Sequence, residues 1–483
     1  MIRKSLLLAG VMALALTGAA AAQTEEEKPD PVVQACMGKG GEAVEARLNA
    51  CNELLADNLD DEFRTAVLNL RAILFVEMGL NDRALADAST AARLSPNDPG
   101  SYYIRAIVLN AMDDHKLALA DIGRAIKLEP NSGHYLSMRG QLRAATGDMA
   151  GSLADYSRAI ELEPDDLDHR LDRAAVRQMM DDDTGALADL DEAVRRSDGA
   201  PKALVMRGDF LLDANRLDDA QASYDRALAK QADFVPALIG RARLAQDRGD
   251  LAASRADLDR AIALDATDPY TYRSRGWLRY QSDDVVGARA DLDRAVELQG
   301  DADLLLDRAS FFGGQKQYDL AFADIAEAEK ALPKSASIPM ARAKVYAVQQ
   351  DWAKALAEAD RAVKLAPDDV YALNSACWIR GEANRDLERA VNLCTKAISA
   401  EPSNFMPLDS RAFAHLRRGD LTKALADADA ALALFPASAE TLYLRGVIKL
   451  RLGQKAEGDA DIAAARKLRP KIEAEYASYG LLL

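Results

Sequence analysis

The sequence predicts an all-α protein built as a linear array of helix hairpins, and three observations carry that prediction. A pattern of small and apolar residues returns about every 34 residues. Within each copy the apolar residues recur at helical spacing with one break near the middle, and no segment reads as a strand. In 133–164, GHYLSMRGQLRAATGDMAGSLADYSRAIELEP, Leu136 and Gly140 belong to one amphipathic helix and Leu153, Tyr156, Ala159 and Ile160 to the next. Thr146-Gly147-Asp148 breaks the pattern and Pro164 ends it. Gly140 and Ser152 fall where the two helices must approach, Asp148 is placed to cap the second helix, and Pro164 cannot continue it. A single hairpin leaves one face bare, so the pattern demands an array rather than a globule.

The chain opens with Arg3-Lys4, an apolar run from Leu6 to Leu16, and small residues ending Ala20-Ala21-Ala22. This predicts a secretory signal peptide, 1–22, cleaved after Ala22. The run is too short to span a bilayer, so the expected product is periplasmic or secreted, with no integral membrane anchor. Residues 23–31, QTEEEKPDP, are expected to be a disordered spacer, with structure starting near Val32. Residues 32–64 read as a divergent N-terminal capping hairpin in which only 42–55 is clearly helical. From 65 to 472 twelve units fit, one a residue short near Asp301 and one a residue long around Asn384-Arg385-Asp386. Residues 473–483 are expected to form a capping helix and tail over the last unit.

Composition narrows the partners. Loss of Arg3 and Lys4 takes the formal charge from −16 to −18, and the acid is spread along the chain, which argues against nucleic acid and anionic membranes. Sparse aromatics and abundant alanine suit closely packed helices.

The individual positions carry a family resemblance. Gly208, Ala220, Tyr224 and Ala227 in one unit, and Ala106, Ala118, Ile122, Ala125 and Pro130 in another, supply a small residue at position eight, alanine at twenty, a large residue at twenty-four, alanine at twenty-seven and, in the second, proline at thirty-two. This resembles the tetratricopeptide repeat (TPR). The resemblance implies a right-handed superhelical solenoid of about twelve hairpins with a concave groove that binds protein segments. One departure is regular: position seven, large in the family, is arginine in eleven of the twelve units, Arg71, Arg105, Arg139, Arg173, Arg207, Arg241, Arg275, Arg308, Arg342, Arg411 and Arg445. An acidic column runs with it at position twenty-three: Asp87, Asp121, Asp155, Asp189, Asp257, Asp291, Asp324, Glu358, Asp427 and Asp461. The competing readings are a ladder of exposed bridges, each contributing at most about 1 kcal/mol, and a charged stripe that reads a ligand. The ladder is favoured, because a ligand does not need the same pair in every unit.

Cys36 with Cys51 and Cys377 with Cys394 form two local pairs, an even count that fits disulfides in an exported chain. Cys377 and Cys394 lie nearly equidistant from the turn at Arg385-Asp386. Cys36 reaches Cys51 only if it lies on an arm folded back along the helix. Catalytic and metal motifs are missing: His115, His134, His169 and His415 read as isolated, and Asp181-Asp182-Asp183 falls at a turn as capping residues. No enzyme activity, metal or cofactor is expected.

What remains is surface. Carried over from the family, the ligand-facing positions place Arg243, Tyr270, Arg273, Trp277, Tyr280 and Gln281 along one wall, and Lys344, Tyr371, Asn374 and Trp378 in a second cluster. Tryptophan, tyrosine and arginine dominate interface energies. Trp277 and Trp378 fit equally well as packing residues between units. The expected function is a non-catalytic scaffold or adaptor holding a peptide or partner protein, with envelope assembly or secretion as the expected setting. The alternative is a carbohydrate- or cell-wall-interacting envelope factor.

Overall fold

The computed structural model describes residues 30–39 and 41–481. Among these the chain forms 27 helices and no strand, and none of the helices is long and apolar enough to cross a membrane. The expected signal peptide and most of the spacer lie outside the described residues.

The chain divides into two compact units, Met1–Phe210 and Leu211–Leu483, the division falling within the helix Pro201–Asp213. The first unit begins with Pro31–Met37 and Val44–Ala56. Four hairpins follow: Asp61–Glu77 with Asn81–Leu94, Pro99–Ala111 with His115–Leu128, Gly133–Ala145 with Met149–Leu162, and Leu167–Met179 with Asp183–Arg196. The second unit contains Leu217–Lys230 and then seven hairpins. These are Val235–Asp247 with Leu251–Leu264, Pro269–Gln281 with Val285–Leu298, Ala302–Gly314 with Tyr318–Ala331, Ser337–Val348 with Trp352–Leu365, Val370–Ala383 with Leu387–Ala400, Phe405–Arg418 with Leu421–Leu434, and Ala439–Arg451 with Lys455–Leu468. A short helix, Ile472–Ser478, ends it.

Two boundaries differ from expectation. Helical structure starts at Pro31, where Asp30 accepts from the Val32 amide, so the arm that folds Cys36 back along Val44–Ala56 is itself a short helix. The first hairpin starts at Asp61 rather than near Thr65, because Asp60 accepts from the Phe63 amide and caps it there.

Alanine explains how the helices of a hairpin approach. Ala84, Ala118, Ala186, Ala288, Ala321, Ala355, Ala390 and Ala424 are fully buried at one position of the second helix, and Ser152 and Ser254 fill it elsewhere. Gly140 serves the same end from the opposite side, since a Cβ there would lie 3.1 Å from the Tyr156 ring. Each turn needs one residue in the left-handed region. Gly79, Asp113, Gly147, Asp181, Gly249, Asp283 and Gly453 supply it at the same place, with Lys316 and Gln350 the bulkier exceptions. Much of the acid in this chain caps helices. Asp98, Asp114, Asp148, Asp182, Asp250, Asp268, Asp284 and Asp301 each accept from a backbone amide in the first turn.

The arginine and acid columns form a ladder of paired contacts. Arg71, Arg105, Arg139, Arg173, Arg241, Arg275, Arg308, Arg411 and Arg445 each grip the aspartate sixteen residues on through Nε and Nη2, at 2.6–2.9 Å. Several use Nη1 to reach back to the preceding hairpin: Arg241 to Asp225, Arg275 to Asp259, Arg308 to Asp293 and Arg445 to Asp429, at 2.8–3.0 Å. One guanidinium thus ties two helices of its own hairpin and one of its neighbour. The aspartates are buried, so these are not the exposed bridges that the sequence suggested, and their geometry is bidentate. Glu358 does not join the ladder. Arg342 turns to Glu329 of the preceding hairpin instead, at 2.5 and 3.1 Å.

The structure joins Cys36 to Cys51 and Cys377 to Cys394, all four buried. The second link lies in the hairpin where Ala376 replaces the ladder arginine.

Candidate functional site

Within the second unit the first helices of successive hairpins pack directly on one another: Ala302–Gly314 on Ser337–Val348, that helix on Val370–Ala383, and Val370–Ala383 on Phe405–Arg418. Their residues therefore make one continuous side of the unit, the side to which the family resemblance assigns ligand contacts.

Tyr270, Arg273, Trp277 and Tyr280 share the helix Pro269–Gln281, but their functional groups are already engaged. The Tyr270 hydroxyl donates to Asp301 at 2.7 Å, and this bond, with burial, pushes its pKa up to about 12. Arg273 is ion-paired with Asp307, whose carboxyl pKa is raised by burial and partly restored by that arginine. Trp277 meets Tyr280 edge-on at 5.7 Å, Tyr280 meets Phe311 at 5.4 Å, and both half-buried rings pack on the core around Phe311 and Phe312. Arg243 is exposed but donates to Asp213 at 2.7 Å. Gln281, at the end of the helix, is exposed. The wall is thus a set of neutralised cations and packing rings, and Trp277 is a packing residue.

The second cluster splits. Trp378 meets Phe413 at 4.8 Å with the rings tilted by 39°, and Tyr479, just after the helix Ile472–Ser478, edge-on at 5.9 Å. Its Nε1–H donates to Glu382 at 2.8 Å, while burial pushes the Glu382 carboxyl up to about 7. The Arg417 guanidinium lies over the Phe413 ring, 5.2 Å from its centroid, and donates to the Tyr479 carbonyl. Trp378 is therefore also a packing residue. The Lys344 ammonium reaches this contact only through its charge, which opposes the rise of the Glu382 and Asp307 carboxyls. Lys344 and Tyr371 are both exposed, Tyr371 to 58%. They border a half-open pocket of about 430 Å³ whose wall includes Ser335, Ser337, Met340 and Ser375. Asn374 lies on the same helix as Tyr371, and its Oδ1 is buried without a hydrogen-bond partner. Asp369 also lines the pocket, with Oδ1 accepting from the Ala372 amide. Beside it, an ammonium, an exposed ring, three hydroxyls and a thioether can together take a peptide carboxylate or backbone carbonyl next to an apolar side chain.

Buried Asp409, on Phe405–Arg418, has its pKa pushed up to about 7 by burial, against the opposing hydrogen bond from Thr441. Between the ordinary value of 3.8 and about 7 the folded chain holds a proton that the unfolded chain has released, so stability falls as pH rises through that window. Asp409→Asn cannot ionise. Its melting temperature is expected to exceed that of the parent above pH 7, with the gain fading as the pH approaches 3.8. Thermal melts across this range check it, and a gain that persists or grows in acid contradicts the assignment.

The structure overturns one more expectation. His134 and His169 are not isolated, for both face Glu163 and Asp166 across a connector, with His169 Nε2 2.9 Å from Glu163 Oε2. The Glu163 carboxyl is held below its ordinary value by the His169 and Gly133 hydrogen bonds and the nearby histidines, which outweigh the opposing effect of burial. A histidine pair 35 residues apart, with Glu163 and Asp166 just ahead of the second, was the signal in the sequence.

A family model described as the tetratricopeptide repeat matches residues 105–167, 184–236 and 410–471. No curated protein matches. Similar solved structures include yeast Tom70, with 17% identity over 87% of this chain and 99% of that one, at a TM-score of 0.46. Another is a chain from the APC/C hetero-tetramer Cut9–Hcn1, with 13% identity over 93% of this chain and 95% of that one, at a TM-score of 0.37.

Proposed function

Since this is a chain of tetratricopeptide repeats, we propose that it is a non-catalytic scaffold that holds a peptide or partner protein against the first helices of its second unit, with Lys344, Tyr371 and Asn374 at the contact. The observation that carries this reading is the half-open pocket beside exposed Lys344 and Tyr371. At the equivalent places elsewhere the aromatic and cationic groups are spent on neighbours, as Arg273 is on Asp307 and Trp277 on Tyr280. The site of action is the bacterial periplasm, in envelope assembly or secretion. The apolar segment ending in small residues at Ala22 supports export, and two buried cystines suit an oxidising compartment.

The test is a pull-down from an envelope fraction with the chain as bait. Recovery of a defined protein that competes with its own peptide fragments is the expected result. Retention on cell-wall or polysaccharide matrix without a protein partner would contradict it and favour a carbohydrate-interacting factor.

A further inference from the structure

We propose that His134, Glu163, Asp166 and His169 form a binding site for a divalent transition-metal ion of the zinc class. The site lies in the first unit, where one hairpin hands over to the next. His134 is the second residue of Gly133–Ala145, Glu163 and Asp166 flank the connector, and His169 is the third residue of Leu167–Met179. One ligand atom from each of the four lies within 4.8 Å of the others. His169 Nε2 is 2.9 Å from Glu163 Oε2 and 3.8 Å from Asp166 Oδ2, while His134 is 3.8 Å from the first carboxylate and 4.0 Å from the second. Tetrahedral zinc with bonds of about 2.0–2.2 Å holds its ligand atoms roughly 3.3–3.6 Å apart, so side-chain shifts of up to about an ångström gather this set, now within 4.8 Å, onto an ion.

The outer contacts argue that these atoms are aimed. On three of the four residues one polar atom is tied back and the other is left facing inward. Ser137 Oγ holds His169 Nδ1 at 2.7 Å, leaving Nε2 for the site. The Gly133 amide donates to Glu163 Oε1 at 2.7 Å, leaving Oε2. The Asp168 amide donates to Asp166 Oδ1 at 2.8 Å, leaving Oδ2. Partners of this kind fix the orientation and tautomer of metal ligands. A Cβ at residue 133 would stand 2.5 Å from the Glu163 carboxyl carbon, so glycine there lets that carboxylate keep its place. Two carboxylates match the charge of a dication. Two imidazoles with two carboxylates suit zinc and its neighbours rather than calcium or magnesium, which take oxygen ligands. Bound there, the ion clips two successive hairpins of the first unit together, and His134, half-exposed, gives it an entry path.

The untagged full chain, stripped with a chelator and titrated with Zn²⁺ alone in a calorimeter, tests the site. The expected result is one saturable ion per chain, a rise in melting temperature on saturation, and affinity at least about ten-fold weaker in His134→Ala and in Glu163→Gln. His115→Ala and His415→Ala should bind as the parent does. His169 is buried, so His169→Ala is left aside as a folding risk, whereas His134→Ala keeps the core intact and its helical signal verifies this. Absence of one-to-one binding in the parent, or parent-like affinity in both His134→Ala and Glu163→Gln, overturns the proposal.

Discussion

Asp291→Ala should lower the stability of the second unit by about 3–5 kcal/mol, the cost of stranding buried charge when one member of an ion pair is removed. Asp291 is 3% exposed. It accepts from Arg275 at 2.9 and 2.7 Å and from Arg279 at 2.9 Å, so its loss leaves two part-buried guanidiniums short of a carboxylate. Arg275 keeps Asp259 at 2.8 Å, which softens the loss without cancelling it. Urea unfolding followed by far-ultraviolet circular dichroism measures the change. Asp459→Ala is the control, since the Lys455–Asp459 pair is 81% and 53% exposed and should contribute under about 1 kcal/mol. If both substitutions cost the same small amount, the ladder is surface decoration and not a clasp.

The second large effect is expected where the ladder is interrupted. In the hairpin 370–400, Ala376 stands at the arginine position, and Cys377 and Cys394 occupy the places that Gly140 and Tyr156 hold in the hairpin 133–162. The cystine closes a loop with a sequence separation of 17, which in the chain-entropy treatment restricts the unfolded chain by about 3 kcal/mol. Cys377→Ala with Cys394→Ala should therefore lower the urea midpoint under non-reducing conditions, with little change in helical signal. Peptide mapping of the non-reduced parent should find Cys377 joined to Cys394. Free thiols at both positions, or a variant as stable as the parent, would contradict this account of the hairpin.

The periodic part of this architecture was legible in the sequence because hairpin contacts are local. Buried Ala118, the cap at Asp148 and the Arg105–Asp121 pair all lie within one repeat, so spacing alone locates them. Contacts between repeats were less visible. Arg273 reads as a free cation until Asp307, 34 residues on, is seen beside it. Trp277 and Trp378 sit at positions that serve a groove or a neighbouring helix equally, and only the neighbours Tyr280 and Phe413 decide for packing. The histidine cluster was missed for the same reason, since His134 and His169 meet only once two hairpins stack. The short helix that carries Cys36 is capped by Asp30, and the glycines from Gly38 to Gly41 that follow it hide it in the sequence.

The central claim is that this chain works by binding through the exposed groups around Lys344 and Tyr371. The most direct test compares recovery of the envelope partner by the parent and by Lys344→Glu with Tyr371→Ala, at matched helical signal and melting temperature. Both side chains are exposed, so their replacement should leave stability within about 0.5 kcal/mol per site. The expected result is a loss of partner binding of at least about ten-fold, or roughly 1.4 kcal/mol. Partner recovery by the double variant equal to that of the parent would contradict the claim.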